Sequence, residues 1–199
     1  MAIPSGEELL VPDQAAWRTW LEAHHADVTA VWLVLTKKGG TVTTLTYQQA
    51  LDEALCFGWI DGQVRRRDEQ TLFQRFTPRG PRSRWSARNV DHVARLESAG
   101  LMAAAGRRAV EAAKADGRWE AAYAGSATAE MPQDLLDAVA AVPEAQAMYD
   151  VLTSANRYAI YHRLSGIKTE AARRRRIEEY VAMLARHETI HPQKRRPPA

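Results

Sequence analysis

The sequence predicts an α+β fold, mainly helical, with a small antiparallel sheet in the N-terminal half and a helical C-terminal half. Three observations carry this expectation. Residues 30–36 (AVWLVLT) form a short apolar run rich in Val and Leu, as a buried strand requires. Residues 63–67 and 71–77 read as two further strands joined by a turn at Asp68-Glu69-Gln70. From Leu101 onward, apolar residues recur at helical spacing.

Each element has a local cause. Asp13 has the short acceptor side chain of an N-cap, and Trp17, Trp20, Leu21 and His24 follow on one helical face. Residues 37–40 (KKGG) make a turn, and Thr46 with Gln49 has the spacing of a capping box. Ala50, Leu51, Ala54 and Leu55 then supply one helical face. Gly58 and Gly62 bracket Trp59-Ile60-Asp61. Pro78 and Pro81 end the last strand, since proline cannot donate to a ladder. Ser86 caps a helix carrying Val90, Val93 and Leu96. Later helices are expected over about 102–116, 132–141, 143–152, 154–164 and 169–187. Pro132 and Pro143 suit first turns, and Ile177, Tyr180, Val181 and Leu184 form an apolar stripe. The expected organisation is an α+β region over 1–116, a small-residue linker over 117–131, a helical region over 132–191 and a basic, disordered tail over 192–199.

Composition sets outer bounds. Hydrophobic residues make up 46% and charged residues 26%, both ordinary for a globular protein. The one cysteine, Cys56, has no partner for an internal disulfide, which suits a reducing cytoplasm. Residues 1–13 lack the basic-then-apolar order of a signal peptide, and no apolar run reaches the ~18 residues of a membrane span. Cytoplasmic localisation without membrane association is therefore expected. Net charge is only +3, but Arg65, Arg66, Arg67, Arg75, Arg79, Arg82, Arg84 and Arg88 crowd one stretch against only Asp68 and Glu69. A second run covers Arg173 to Arg176. Such density favours anionic partners or forms a solvated face.

Two stretches are unusual: Ala54-Leu55-Cys56-Phe57-Gly58-Trp59-Ile60-Asp61-Gly62, and Arg75-Phe76-Thr77-Pro78-Arg79 followed by Ser83-Arg84-Trp85-Ser86 and Asn89. With Trp17/Trp20, Val31-Trp32, and the ending Ile167-Lys168-Thr169-Glu170, Arg173 and Arg176-Ile177, they resemble the YdeI/OmpD-associated (bacteriocin-protection) family over roughly 17–184. The resemblance implies protection against bacteriocins or antimicrobial compounds. It implies no catalytic mechanism.

The residues themselves allow a ligand pocket. Trp59 and Trp85 would be flat walls, and Arg65, Arg75 and Arg79 would grip a carboxylate, phosphate or planar acceptor. Asp61 would orient one Arg or accept a ligand proton. Ser86 and Asn89 would sit at a helix N-terminus, where free N–H groups attract anions. The competing reading makes Trp59 and Trp85 core, Asp61 an Arg latch, and Ser86 with Asn89 a cap. Strand alternation puts Gln63, Arg65 and Arg67 on one face, and Phe73, Arg75, Thr77 and Arg79 on another.

Other chemistry has less support. Cys56 lies at a helix end in apolar company and reads as a small buried hydrophobe rather than a nucleophile. His187-Glu188-Thr189-Ile190-His191 spells H-E-x-x-H, but Pro192 follows and no third ligand lies downstream, so no metal is expected. His24, His25, His92 and His162 suggest no ligand pairing. No Gly-rich phosphate loop, nucleophile elbow or C-x-x-C pair is present, so no cofactor is expected. The leading functional expectation is a stress or antibiotic-resistance protein. It would bind a toxic small molecule or peptide, by sequestration or modification. The alternatives are a nucleic-acid-binding protein using the Arg patches with Trp stacking, binding only weakly, and an enzyme using Asp61 as acid or base.

Overall fold

The computed structural model describes residues 7–198; residues 1–6, half of the segment read for a signal peptide, and Ala199 lie outside it. The chain divides into two compact units, one ending at Ala122 and the other beginning at Tyr123.

The first unit holds the sheet and four helices. Its strands are β1 (Glu7–Leu9), β2 (Val31–Thr36), β3 (Trp59–Arg66) and β4 (Thr71–Pro78), in spatial order β1-β2-β4-β3. β2, β4 and β3 pair antiparallel as expected, but β1 adds a parallel edge, so the sheet is mixed. Three residues without alternation gave β1 no sequence signal. Helices α1 (Gln14–His24), α2 (Tyr47–Cys56), α3 (Ala87–Ser98) and α4 (Ala104–Ala115) complete the unit.

The caps sit where side-chain chemistry places them. Asp13 accepts from the Ala16 N–H, Ser86 accepts from the Asn89 N–H, and Thr46 with Gln49 closes a reciprocal capping box. Asp68 closes the β3–β4 turn by accepting from the Thr71 hydroxyl and the N–H groups of Gln70 and Thr71. The Thr71 hydroxyl bond leads in holding its carboxyl down at about 2.

One core joins sheet and helices. Val31, Leu33, Leu35, Phe76 and Trp59 face Trp17, Leu21, Leu51, Leu55 and Val93. Glu53, 5% exposed, is buried in company: Gln14 Nε2 donates to it at 2.6 Å and Arg18 Nη1 at 2.9 Å, tying α1 to α2. A buried carboxylate is tolerable only with such partners.

The second unit is helical: α5 (Gln133–Ala140), α6 (Pro143–Asp150), α7 (Ser154–Leu164) and α8 (Glu170–Ala185). Pro143 occupies a first turn as expected, whereas Pro132 stands one position earlier, as the N-cap of α5. Leu135, Val139, Met148, Ile160, Leu164, Ile177, Tyr180 and Leu184 form its core. Among the described residues, no helix is long and apolar enough to cross a membrane.

The end of the chain departs from expectation. The residues after Pro192 do not stand apart from the fold: the Gln193 side-chain oxygen Oε1 accepts from the Thr153 N–H at 3.1 Å and from Asn156 Nδ2 at 2.9 Å. A basic, Pro-rich composition suggested nothing to bury, but one amide side chain finds a buried polar partner there.

Candidate functional site

The strand registers decide where the expected pocket residues go. β4 alternates regularly: Phe76 and Gln74 lie on the helix-covered face, and Phe73 and Arg75 on the opposite one. On β3, Asp61 opposes Phe76 but Val64 opposes Gln74. Three steps on one strand match two on the other, so a bulge at Gly62-Gln63 reverses the parity of β3. Trp59 and Asp61 therefore point to the helix-covered side, while Arg65 points to the opposite face.

The eight residues thus occupy four places. Arg65 and Arg75 lie on the open side of the sheet around Trp32: the Arg65 guanidinium stands 4.8 Å from its ring centroid, and Arg75 opposes it in register. Trp59 is 1% exposed, donates from Nε1 to the His25 carbonyl at 3.2 Å, and meets Trp20 edge-on. Arg79, Trp85, Ser86 and Asn89 form a separate knot. The Arg79 guanidinium lies 3.5 Å from the centroid of the Trp85 ring and donates to the Arg84 carbonyl, and Trp119 meets Trp85 edge-on. Trp85 is 1% exposed, and Ser86 caps α3 through Asn89.

Asp61 lines a cleft. The cleft, of about 350 Å³, is bounded by Leu35, Thr36, Tyr47, Asp61, Gly62, Val64, Leu72 and Gln74. The expected Arg partner is replaced by Tyr47, whose hydroxyl donates to Asp61 Oδ2 at 2.7 Å. The cause is the bulge, which turns Asp61 away from the Arg face.

A second concave surface lies in the helical unit. Ser126, Ala129, Met131, Tyr149, Ser154, Arg157, Tyr158 and Tyr161 line a cleft of about 290 Å³. Arg157 covers the Tyr149 ring at 4.7 Å and donates to the carbonyls of Tyr149 and Asp150, fixing the end of α6. The Tyr161 hydroxyl accepts from the Ala124 N–H at 3.0 Å, and Tyr158 stacks on Tyr161. Rigid aromatic walls with a few polar groups are the usual lining of a ligand site. Sequence reading did not find these residues. The available signal was Tyr158, Tyr161 and His162 at three- and four-residue spacing on one helix.

The second Arg run is largely neutralised. Arg173 grips Asp134 with Nε at 2.5 Å and Nη2 at 2.8 Å, holding that carboxyl below its ordinary range. Arg174 pairs with Glu170 at 2.9 Å and Arg176 with Glu179 at 3.1 Å. The H-E-x-x-H letters fall beyond the last helical residue, Ala185, and His187 takes a left-handed backbone with φ of 57°. Its two histidines are therefore not placed one helical turn apart, as zinc-protease geometry needs.

Cys56 is buried, and burial above all, then the nearby Glu53 charge, pushes its thiol up to about 11. The folded protein should resist iodoacetamide near pH 8 and be labelled at once after denaturation. Comparable labelling in both states, by mass spectrometry, would contradict this placement.

Comparison with known families divides the chain. Residues 9–109 match the family model described as a domain of unknown function, DUF8412. Residues 128–187 match the model described as bacteriocin-protection, YdeI or OmpD-associated. The kinship expected from the sequence thus holds over the C-terminal segment, while the central motifs around Trp59 and Trp85 fall in the first match. No curated protein and no solved structure matches the chain.

Proposed function

Because the chain belongs through residues 9–109 to the DUF8412 domain family, and its residues 128–187 match the bacteriocin-protection family, we propose that it protects its host by binding a toxic small molecule or peptide in the Tyr149/Tyr158/Tyr161 cleft. The family match by itself supports a general protective role. One observation carries the finer reading: apart from Ser126, every residue lining this cleft lies inside the protection-family segment. Tyr rings give a ligand large contact area at low entropic cost, and the Arg157 brace holds the wall still. Binding by sequestration needs nothing more.

The other readings draw less support. Most of the Arg173–Arg176 charge is already paired within its own helical unit, so only weak, salt-sensitive nucleic-acid binding is expected. Asp61 is engaged by the Tyr47 hydroxyl, so its carboxylate oxygen Oδ2 is already hydrogen-bonded within the fold.

The test is survival of a sensitive bacterium expressing the chain, challenged with a panel of bacteriocins and peptide antibiotics. Ser126→Trp fills the cleft from its exposed rim and should abolish protection while leaving the melting temperature unchanged. Tyr158→Ala should weaken binding of the protected-against compound about tenfold, the worth of one stacked aromatic contact. Full protection by Ser126→Trp would overturn the assignment to this cleft.

A further inference from the structure

We infer that the Tyr47/Asp61 cleft of the first unit is a second, independent binding site, for a small organic cation: an amine or amidinium on a compact apolar body. The charge is the first ground. Asp61 is half-buried, and the Tyr47 hydroxyl occupies Oδ2 alone. Among the described residues no Lys or Arg forms an ion pair with Asp61. Farther along the chain, Arg66 pairs with Glu69, and Arg67 with Glu8 and Asp68. A carboxylate can accept several hydrogen bonds, so Asp61 keeps acceptor capacity for a charged N–H donor.

The walls are the second ground. Leu35, Val64 and Leu72 make the cleft largely apolar. Val64 is 60% exposed and Tyr47 38% exposed, which places two of the large exposed hydrophobic residues of the described chain at this one cleft. Apolar walls lower the local dielectric and so strengthen a charge pair formed against Asp61. The Tyr47 ring can also attract a cation through its face. An anion would meet Asp61 unscreened. The cleft volume of about 350 Å³ falls at the small end of ligand sites, which limits the apolar body to a compact one.

The bulge is the third ground. Without the extra residue at Gly62-Gln63, β3 would keep a single parity and Asp61 would share the face of Arg65 and Arg75. The irregularity separates the carboxylate from the guanidinium groups and leaves it facing an apolar recess.

The test uses the full chain and 2-phenylethylamine as probe, with 2-phenylethanol as its neutral match and 3-phenylpropionate as its anionic one. In amide NMR titrations the amine should shift Asp61, Gly62, Val64 and Leu72 saturably. The alcohol should bind at least about tenfold more weakly and the acid not at all. Asp61→Asn should weaken the amine about tenfold or more. Val64→Lys supplies an internal ammonium beside Asp61 and should block the amine even if Asp61→Asn perturbs folding. Equal binding of amine and alcohol, binding unchanged in both variants, or no saturable shift with the amine would each overturn the inference. Loss of protection by Ser126→Trp with amine binding intact would separate this site from the protective one.

Discussion

Replacing Gly106 with alanine should cost the first unit at least ~3 kcal/mol, the upper part of the usual range for overpacking. A Cβ on Gly106 would lie 2.2 Å from the Cys56 carbonyl oxygen, 2.7 Å from its carbon and 2.9 Å from the Leu55 oxygen. All three are backbone atoms, so no side chain can swing away. α4 is held at this distance by the Ala103 N–H, which donates to the same Cys56 oxygen at 3.0 Å. The methyl group must therefore lift the start of α4 off the end of α2 and break that bond. Gly58 faces the same seam with φ of +75°, and a Cβ there would stand 3.1 Å from the Ala105 oxygen. Close approach of the two backbones depends on a glycine from each side.

The measurement is direct, because all six Trp residues precede Ala122 and Trp fluorescence reports the first unit alone. Its denaturation midpoint should fall by roughly 10 °C or more. Gly100→Ala is the control. Its φ is positive, as that of Gly106 is not, but no atom lies within 4 Å of the added carbon, so only local strain of about 1–2 kcal/mol is expected. Equal effects of the two substitutions would show that the α2–α4 seam is not tight.

Ending the chain after Ile190 should destabilise the second unit by about 2–4 kcal/mol through lost hydrogen bonds. Asn156 is 1% exposed, and its side chain depends on the terminal segment. Its Oδ1 accepts from the His191 N–H at 2.8 Å, and its Nδ2 donates to the His191 carbonyl at 3.0 Å and to Gln193 at 2.9 Å. Gln193 also accepts from the Thr153 N–H and donates to the Val151 carbonyl. The terminal strap thus ties together the loop before α7 and the first turn of that helix. Ending after Pro192 removes only the Gln193 bonds and should cost about 1–2 kcal/mol. Tyrosine near-ultraviolet circular dichroism follows the loss, since five of the six Tyr lie at or beyond Tyr123. Trp fluorescence should not change. Identical melts for both truncations and the full chain would show that the strap contributes nothing.

The amino-acid sequence alone determined the elements whose causes are local. The Asp13, Thr46 and Ser86 caps act on N–H groups three residues away. The apolar run of β2 and the stripe on α8 follow from backbone periodicity. The kinship was legible in part: the match over residues 128–187 takes in the Ile167-to-Ile177 stretch, whereas the central motifs that also suggested it fall in the 9–109 match. Tertiary structure alone decided the sites. A single extra residue at Gly62-Gln63 reverses the face of everything before it on β3. Alternation read from the letters could therefore not tell that Asp61 meets Tyr47 rather than an Arg. The Tyr149/Tyr158/Tyr161 cleft and the Asn156–Gln193 strap join residues from separate elements, and no periodicity within either element encodes that meeting. Capping and periodicity are interactions along the chain, whereas a cleft is made by packing across it, and packing is settled only when the whole unit closes.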